Sequence, residues 1–244
     1  MKSEGFADLH QHVLWGLDDG PQTSEQMRAL LRQDVEEGIR LVFATAHAYP
    51  KLRAFDLALY RERLAEANAC CESEGWPLRV VPGCEIHYCP AVPDHLSAGR
   101  LPTLGYSRHA LIEFAPDVSP AEIEEAADRL YRAGYTPVLA HVERYRRLIR
   151  SPKRAMALRE EYGILYQMNC NTVLYPRGLR TRYFVWRMLR ERAIDLIASD
   201  AHDANARPVR MRAAYKCIAE RYGTAYARRL MCGGGSLLGI GRDQ

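Results

Sequence analysis

Asp8-Leu9-His10-Gln11-His12, followed closely by Asp18-Asp19-Gly20-Pro21, is the stretch from which the rest of the chain is read. His10 and His12 stand two residues apart. On a strand, residues i and i+2 share a face, so both imidazoles reach one point. Phe6 to Leu9 is short and apolar-leaning, as a buried strand would be. Polar side chains aimed together at the end of such a strand suggest a metal ion. Imidazole with carboxylate suits Zn, Mn or Fe. The alternative is a pair of structural histidines satisfied by hydrogen bonds. Two imidazoles on one face are hard to satisfy that way, and the metal reading is preferred.

Working outward, strand-like and helix-like segments alternate. Gly5 to Leu9 reads as a strand. Ser24 to Glu37 reads as a helix, opened by Thr23 or Ser24 and closed by Gly38. A strand over Leu41 to Ala46 ends in His47. A helix over Asp56 to Glu74 is closed by Gly75, and a strand starting at Leu78 ends in Gly83-Cys84-Glu85-Ile86. Pro90 to Gly105, rich in Pro and Gly, reads as a loop. Ala110 to Phe114 is a strand carrying Glu113. Ser119 and Pro120 open a helix that runs to Ala133. Thr136 to Ala140 leads into His141, and Ser151 with Pro152 opens a helix to Tyr162. Ile164 to Met168 leads into Asn169-Cys170-Asn171. A helix over Thr181 to Arg192 precedes a strand over Ile194 to Ser199, which runs into Asp200-Ala201-His202. One or two helices follow. Cys232 to Gly241 reads as a helix end and terminal segment, since it fits neither a P-loop nor a dinucleotide fingerprint.

Seven strand–helix units without a linker or low-complexity tract predict a parallel sheet in a single domain over residues 1–244. Nearly every strand ends in a polar or metal-capable residue. An open doubly wound sheet uses mainly the strands at its switch point. A closed barrel builds its site from all the strand ends at its C-terminal face. The pattern therefore predicts an α/β fold, a distorted (β/α)7 barrel with its site at that face.

Composition bounds the rest. A chain of 244 residues buries a substantial core. No stretch approaches the ~18 apolar residues of a membrane helix, and Met1 to Gly5 lacks the apolar core of a signal peptide. The seven cysteines are odd in number and irregular in spacing, so a cytoplasmic protein is expected. A net charge of +4 is mild and gives no nucleic-acid signature. Lysine occurs only at Lys2, Lys51, Lys153 and Lys216, so arginine carries most of the positive charge.

The strand-end candidates are His10, His12, Asp19, His47, Glu85, Glu113, His141, Asp200 and His202. One four- to six-coordinate ion cannot use nine side chains. Two or three ions sharing carboxylate bridges can, and metals ~3.5–4 Å apart stabilise both oxygens of a phosphoryl displacement, with a metal-activated hydroxide as nucleophile. A phosphate ester also needs cations on its non-bridging oxygens. Arg144 and Arg207 leave the His141 and His202 strands toward the same face, and either guanidinium forks two oxygens. Each on its own would read as a surface ion pair. His87 follows Glu85 by two and is a weak candidate, whereas His95 and His109 lie off the pattern. Other hydrolytic devices are missing. No cysteine has Arg at the sixth following position, Cys170 coming closest with Arg177. There is no Gly-x-Ser-x-Gly elbow and no His-Glu-x-x-His helix.

Seven motifs together resemble the PHP (polymerase and histidinol phosphatase) superfamily. They are Asp8 to His12, Leu17 to Pro21, Thr45-Ala46-His47, Gly83 to Ile86, Ile112-Glu113-Phe114, Ala140 to Tyr145 and Ser199 to His202. The Asp-Asp-Gly-Pro and His-x-Glu-Arg-Tyr elements resemble its bacterial capsule-regulating branch, the CpsB/YwqE-type protein-tyrosine phosphatases. The resemblance spans about residues 6 to 207. It implies the distorted (β/α)7 barrel and a trinuclear centre preferring manganese, with iron or zinc as alternatives. The family's ligands fall on the nine positions above. Its phosphate-binding arginines fall on Arg144 and Arg207, and Asp19 and His47 count with them as catalytic. The partner it implies is the phosphotyrosine-containing, tyrosine-rich tail of a bacterial tyrosine kinase controlling exopolysaccharide synthesis. A homo-oligomer is compatible with this, and no nucleic acid or membrane insertion is implied. Trp15 and Val142 each stand where the family usually has Pro, and Asn171 where it has a small residue. None of these removes a ligand; Asn171 is expected either to narrow the pocket floor or to contact the phosphate, and so to bear on substrate choice rather than on metal binding. The same ligands would serve a PHP phosphatase for a small phosphomonoester such as histidinol phosphate. A non-catalytic metal-dependent module is the reading from another class. Finally, Arg146, Arg147, Arg150, Lys153 and Arg154 crowd the segment after the His141 motif. They read either as a solvated helix face or as a docking surface for an acidic tail.

Overall fold

The structure is a computed structural model describing residues 5–233, so the tail read from Cys232 to Gly241 lies outside it from 234 on. Nine short strands are all paired in parallel: β1 (Phe6–Gln11), β2 (Ile39–Ala44), β3 (His47–Ala48), β4 (Arg79–Pro82), β5 (Glu85–His87), β6 (His109–Glu113), β7 (Thr136–Leu139), β8 (Leu165–Asn169) and β9 (Leu196–Ala198). They form a curled six-stranded sheet, β3-β5-β6-β7-β8-β9, and a three-stranded sheet, β1-β2-β4. A bridge between Gln11 and Ala201 ties the end of β1 to the chain leaving β9. Backbone bonds Asp200 N–H to His10 O (2.8 Å) and His12 N–H to Ala201 O (2.9 Å) reinforce it.

Two expected strands are broken, and the breaks position the site. The strand expected to run from Leu41 to Ala46 stops at Ala44, because Thr45 turns to β1. Its N–H donates to Gln11 O, and its hydroxyl oxygen accepts Gln11 N–H, both at 2.9 Å. The strand expected to run through Gly83 stops at Pro82. Gly83 N–H donates to the Tyr60 hydroxyl at 2.9 Å, and a Cβ on Gly83 would press on Thr45 Cγ2 at 3.1 Å. Beyond both breaks the chain resumes in the other sheet, with His47 paired to Glu85 and His87 to Glu113.

The helices between strands are α1 (Ser24–Glu37), α2 (Leu57–Ser73), α3 (Val92–Ser97), α4 (Pro120–Arg132), α5 (Arg146–Arg150), α6 (Pro152–Tyr162), α7 (Cys170–Leu174) and α8 (Leu179–Arg190). After β9 come α9 (Met211–Tyr222) and α10 (Thr224–Met231). The Thr23 hydroxyl caps α1, which ends at Gly38 with φ 88°, a conformation that glycine adopts at low cost. Ser119 and Glu122 form a reciprocal capping box on α4. Helix α3 lies inside the segment read as loop. Pro93 sits in its first turn, where a missing N–H is harmless, and Val92 and Leu96 bury one face. Helix α7 was not expected either, and it follows directly on β8.

The core is layered. A cluster of Ala7, Leu9, Phe43, Val81, Leu111, Val138 and Leu196 draws residues from six strands, so it fills the space the strands enclose. The larger cluster joins the opposite strand faces to the helices. Strands of a parallel sheet covered on both faces read as continuous apolar runs, as Leu41 to Ala44 does.

Candidate metal centre

All nine predicted residues converge at the C-terminal ends of the strands. His10 is the second-last residue of β1 and His12 directly follows the strand. Asp19 comes from the next loop, His47 opens β3, Glu85 opens β5 and Glu113 ends β6. His141 follows β7, and Asp200 and His202 follow β9. Three groups of side chains hold their ligand atoms within 4.8 Å of one another: His10, His12, Glu85 and Asp200; His12, Asp19, His47 and His202; and His47, Glu85 and Glu113. Glu85 sits between them. Its Oε2 lies 3.1 Å from His10 Nε2, 3.2 Å from His12 Nε2 and 3.2 Å from His47 Nδ1. Its Oε1 lies 2.7 Å from His141 Nε2, which is also 3.5 Å from Glu113 Oε1. Asp19 Oδ1 faces His47 Nε2 at 3.4 Å and His202 Nε2 at 3.3 Å.

The backbone is bent to achieve this. His141 (φ 33°) and Asp200 (φ 53°) adopt left-handed conformations that non-glycine residues rarely take. Such strain persists where the surroundings over-determine it, and both residues are site residues. Gly20 lets the Asp18–Asp19 loop close over β1: a Cβ there would sit 2.5 Å from His12 O.

Whether these residues suit a cation is decided by where the imidazole protons are. Gln167 Oε1 accepts the His141 backbone N–H at 2.6 Å, so it is an acceptor, and His10 Nδ1, 3.1 Å away, carries the proton it shares. His12 Nδ1 donates to Asp18 Oδ2 at 2.7 Å, and His202 Nδ1 donates to Asp200 O at 3.0 Å. In neutral rings each Nε2 is then left with a free lone pair. His10 Nε2 and His12 Nε2 face each other at 3.3 Å. Two lone pairs at that separation need positive charge between them. Among the described residues, His47 Nδ1, His141 Nδ1 and His202 Nε2 are buried without a hydrogen-bond partner. Histidines held through one nitrogen with the other free are the usual surroundings of a bound metal, and the donor set fits divalent Mn, Fe or Zn.

The electrostatics agree. Burial disfavours the charged form of His10, but Glu85 and Asp200 outweigh it and raise its pKa. Burial is likewise overcome at His12 by the Asp18 carboxylate, which holds its pKa well above the usual value. Burial of Glu85 is outweighed by His10 and His141, which hold its carboxyl well below the usual range. Burial and the neighbouring His12 push His202 down to about 4. The carboxylates thus favour positive charge at His10 and His12, while burial and the neighbouring His12 hold His47 and His202 toward the neutral form.

Three residues outside the predicted set complete the site. Asp18 also accepts the His47 N–H at 2.9 Å, and so fixes two histidines. Gln167 Nε2 donates to Asn169 Oδ1 at 2.8 Å, and Asn169 Nδ2 donates to Asp200 Oδ2 at 2.7 Å. A buried amide chain therefore links His10 to Asp200. Asp18 was visible in a motif, and Asn169 at a strand end. Gln167 had no local signal beyond lying two residues before Asn169 on a strand, which places both on one face.

Arg144 and Arg207 both donate to Asp200 Oδ2, and Arg207 also reaches Asp19 Oδ2 at 3.4 Å. Both guanidiniums thus stand at the mouth of the cluster. The remaining candidates behave differently. His87 Nδ1 stays 3.6 Å from Glu113 Oε2, and His109 shares a hydrogen bond with Ser107. Asn171 is exposed on α7 and makes no side-chain hydrogen bond among the described residues, whereas buried Asn169 donates to Asp200 Oδ2. Trp15 donates to Glu66 Oε2 at 2.7 Å beneath Arg63, and Val142 is buried in the core. Cys70, Cys71, Cys84, Cys89, Cys170 and Cys217 are free thiols, and burial raises Cys84 and Cys170 well above the ordinary thiol range, which suits no nucleophile.

Known proteins resemble this chain. The chain is similar to the tyrosine-protein phosphatase CpsB of Streptococcus pneumoniae, with 32% identity over 232 residues, 91% of this chain and 93% of that one. It is similar to the tyrosine-protein phosphatase YwqE of Bacillus subtilis (strain 168), with 30% identity over 217 residues, 89% and 85% of the two chains. Its structure superposes with a TM-score of 0.87, at 30% identity and over 95% of this chain and 93% of the other, on one reported for YwqE and CpsB as metal-dependent tyrosine phosphatases. The histidinol phosphate phosphatase of Lactococcus lactis shares the fold at 12% identity and a TM-score of 0.56, covering 90% and 93% of the chains. The family profile for capsular polysaccharide synthesis, CpsB/CapC, matches residues 6–238, and the chain belongs to that family.

Proposed function

We propose that this protein is a metal-dependent protein-tyrosine phosphatase, a phosphomonoesterase built as one distorted (β/α)7 barrel in a single domain over residues 1–244. The observation that carries the reading is the cluster itself. Five imidazoles and four carboxylates converge at the strand ends, with two arginines donating to the same carboxylates. The fold reading rests on strand passes: if β2 with β3, and β4 with β5, each count as one interrupted strand, seven passes surround the inner core.

His10, His12, Asp19, His47, Glu85, Glu113, His141, Asp200 and His202 would hold two or three divalent ions, manganese first and iron or zinc as alternatives, with Glu85 shared between them. Bound there, such ions supply charge neutralisation at the phosphate and lower the pKa of water. The chain's own groups do the rest. Arg144 and Arg207 release Asp200 and Asp19 in part and fork the non-bridging oxygens, where negative charge accumulates. Asp19, with its side chain 59% exposed, and His47 line the open side, where substrate enters. Asp18, Gln167 and Asn169 keep the ligands oriented, so little reorganisation is needed on binding.

The substrate reading, phosphotyrosine on the tail of a bacterial tyrosine kinase that controls capsule or exopolysaccharide synthesis, is supported by the names of the relatives and by the family. A cytoplasmic location is supported by the free thiols of Cys70, Cys71, Cys84, Cys89, Cys170 and Cys217. Among those residues no helix is long and apolar enough to cross a membrane. Rates on a phosphotyrosyl peptide and on histidinol phosphate, measured side by side with metal present, test this. A higher kcat/KM on the peptide is expected, and a preference for histidinol phosphate would replace the reading with that of a small-molecule phosphatase.

A further inference from the structure

A cavity of about 220 Å³ opens against His47. Its walls are apolar and aromatic: Leu17, Tyr49, Phe55 and Leu59. The Tyr49 ring stands 5.4 Å from the His47 ring and 5.8 Å from that of His87, so it is a continuation of the histidine cluster. The Phe55 ring packs 5.3 Å from the buried ring of Tyr60, which fixes it against the core. The carboxylate of Asp56 is turned away to the first turn of α2, where it accepts Leu59 N–H at 3.0 Å. Exposed Arg53, also in the lining, makes no ion pair among the described residues. Larger cavities of about 470 and 670 Å³ share no residue with the centre.

A small pocket with aromatic walls and few polar groups suits a flat apolar ring. Arg144 and Arg207 meet the centre at Asp200 and Asp19, whereas this pocket meets it at His47. A phosphate held between them directs its ester substituent toward Tyr49 and Phe55. Resting on the phosphatase reading above, we propose that this pocket seats the aromatic ring of the phosphoester and selects aryl over alkyl phosphomonoesters. The centre holds any phosphate, and the ring pocket supplies the discrimination.

The test uses the metal-loaded protein and two non-hydrolysable probes, phenylphosphonate and methylphosphonate, with dissociation constants from calorimetry. The wild type is expected to bind phenylphosphonate about tenfold more tightly, the scale of one well-packed ring. Tyr49→Ala removes a wall, and Ala54→Phe fills the space from an exposed position. Both are expected to bring the ratio near one, with methylphosphonate binding changed far less. Metal content is measured on each variant. If Tyr49→Ala loses metal, Ala54→Phe alone decides. A ratio near one in the wild type, or an unchanged ratio in Ala54→Phe, overturns the pocket. Absence of metal-dependent hydrolysis by the wild type would instead overturn the phosphatase reading, which the phosphonate ratio does not report.

Discussion

Glu85 places both carboxylate oxygens against histidines, and the candidate ligands His10 and His12 are held by Gln167 and Asp18, which lie outside the predicted ligand set. This separates two kinds of variant. His10→Ala or His12→Ala removes a ligand: bound metal and activity should fall together while circular dichroism keeps its folded signature. Near wild-type activity in either would refute the ligand assignment. Gln167→Leu keeps the ligands but frees His10 Nδ1, strands the His141 N–H and breaks the chain to Asp200. Metal affinity should drop about 10–100-fold, the usual effect of losing a supporting partner. Titration of metal-free protein measures it, and unchanged affinity would show that the amide chain is only structural. The candidate ligands were legible because each falls in a motif of recognisable composition at a strand end or in the loop after it. Gln167 was not, because its partners lie 157 and 26 residues away, and only the closed fold brings them together.

At the scale of elements, helix boundaries were legible where capping chemistry is local, as at Thr23 and Ser119. The breaks at Thr45 and Gly83 were not, because they depend on contacts with Gln11 and Tyr60. One element junction carries a testable cost. Asp34 of α1 is fully buried behind Gln11 of β1, accepting its Nε2 amide at 2.6 Å, with Oδ2 unpartnered. Burial holds its carboxyl well above the usual 3.8. A carboxyl raised in the folded state binds its proton more tightly there than when unfolded. Its contribution is therefore complete below 3.8 and is lost as pH rises through the raised value. Asp34→Asn keeps the acceptor and removes the charge. It should stabilise the protein at neutral pH by roughly 1–3 kcal/mol, the scale of one unsatisfied buried group, and show little change at pH 4. Denaturant midpoints at the two pH values check this, and equal shifts at both would show that the charge is not the cause. On α4, Ser119→Ala should cost about 1 kcal/mol without loss of activity, since the capping box lies apart from the centre.

Over the whole molecule, the basic stretch after His141 divides. Arg154 pairs with Glu124, and Arg147 donates to Asp117 O at 3.2 Å. Arg146, Arg150 and Lys153 make no ion pair among the described residues, so they are the cations free to steer an acidic polypeptide. Reversing these three charges should raise KM for a long phosphotyrosyl tail and flatten its salt dependence, because exposed charges act over a Debye length of about 8 Å. The rate on a small aryl phosphate should hardly change, and equal losses on both would assign the segment to support of the site. The central claim, however, is that the strand-end cluster is a metal centre that carries the activity. It is tested most directly by stripping the protein with chelator, restoring Mn, Fe or Zn singly, and measuring ions bound per chain beside hydrolysis of a phosphotyrosyl peptide. Two or three ions per chain, with activity absent in the stripped protein and returning as they bind, is the predicted result. Full activity in the metal-free protein would contradict it.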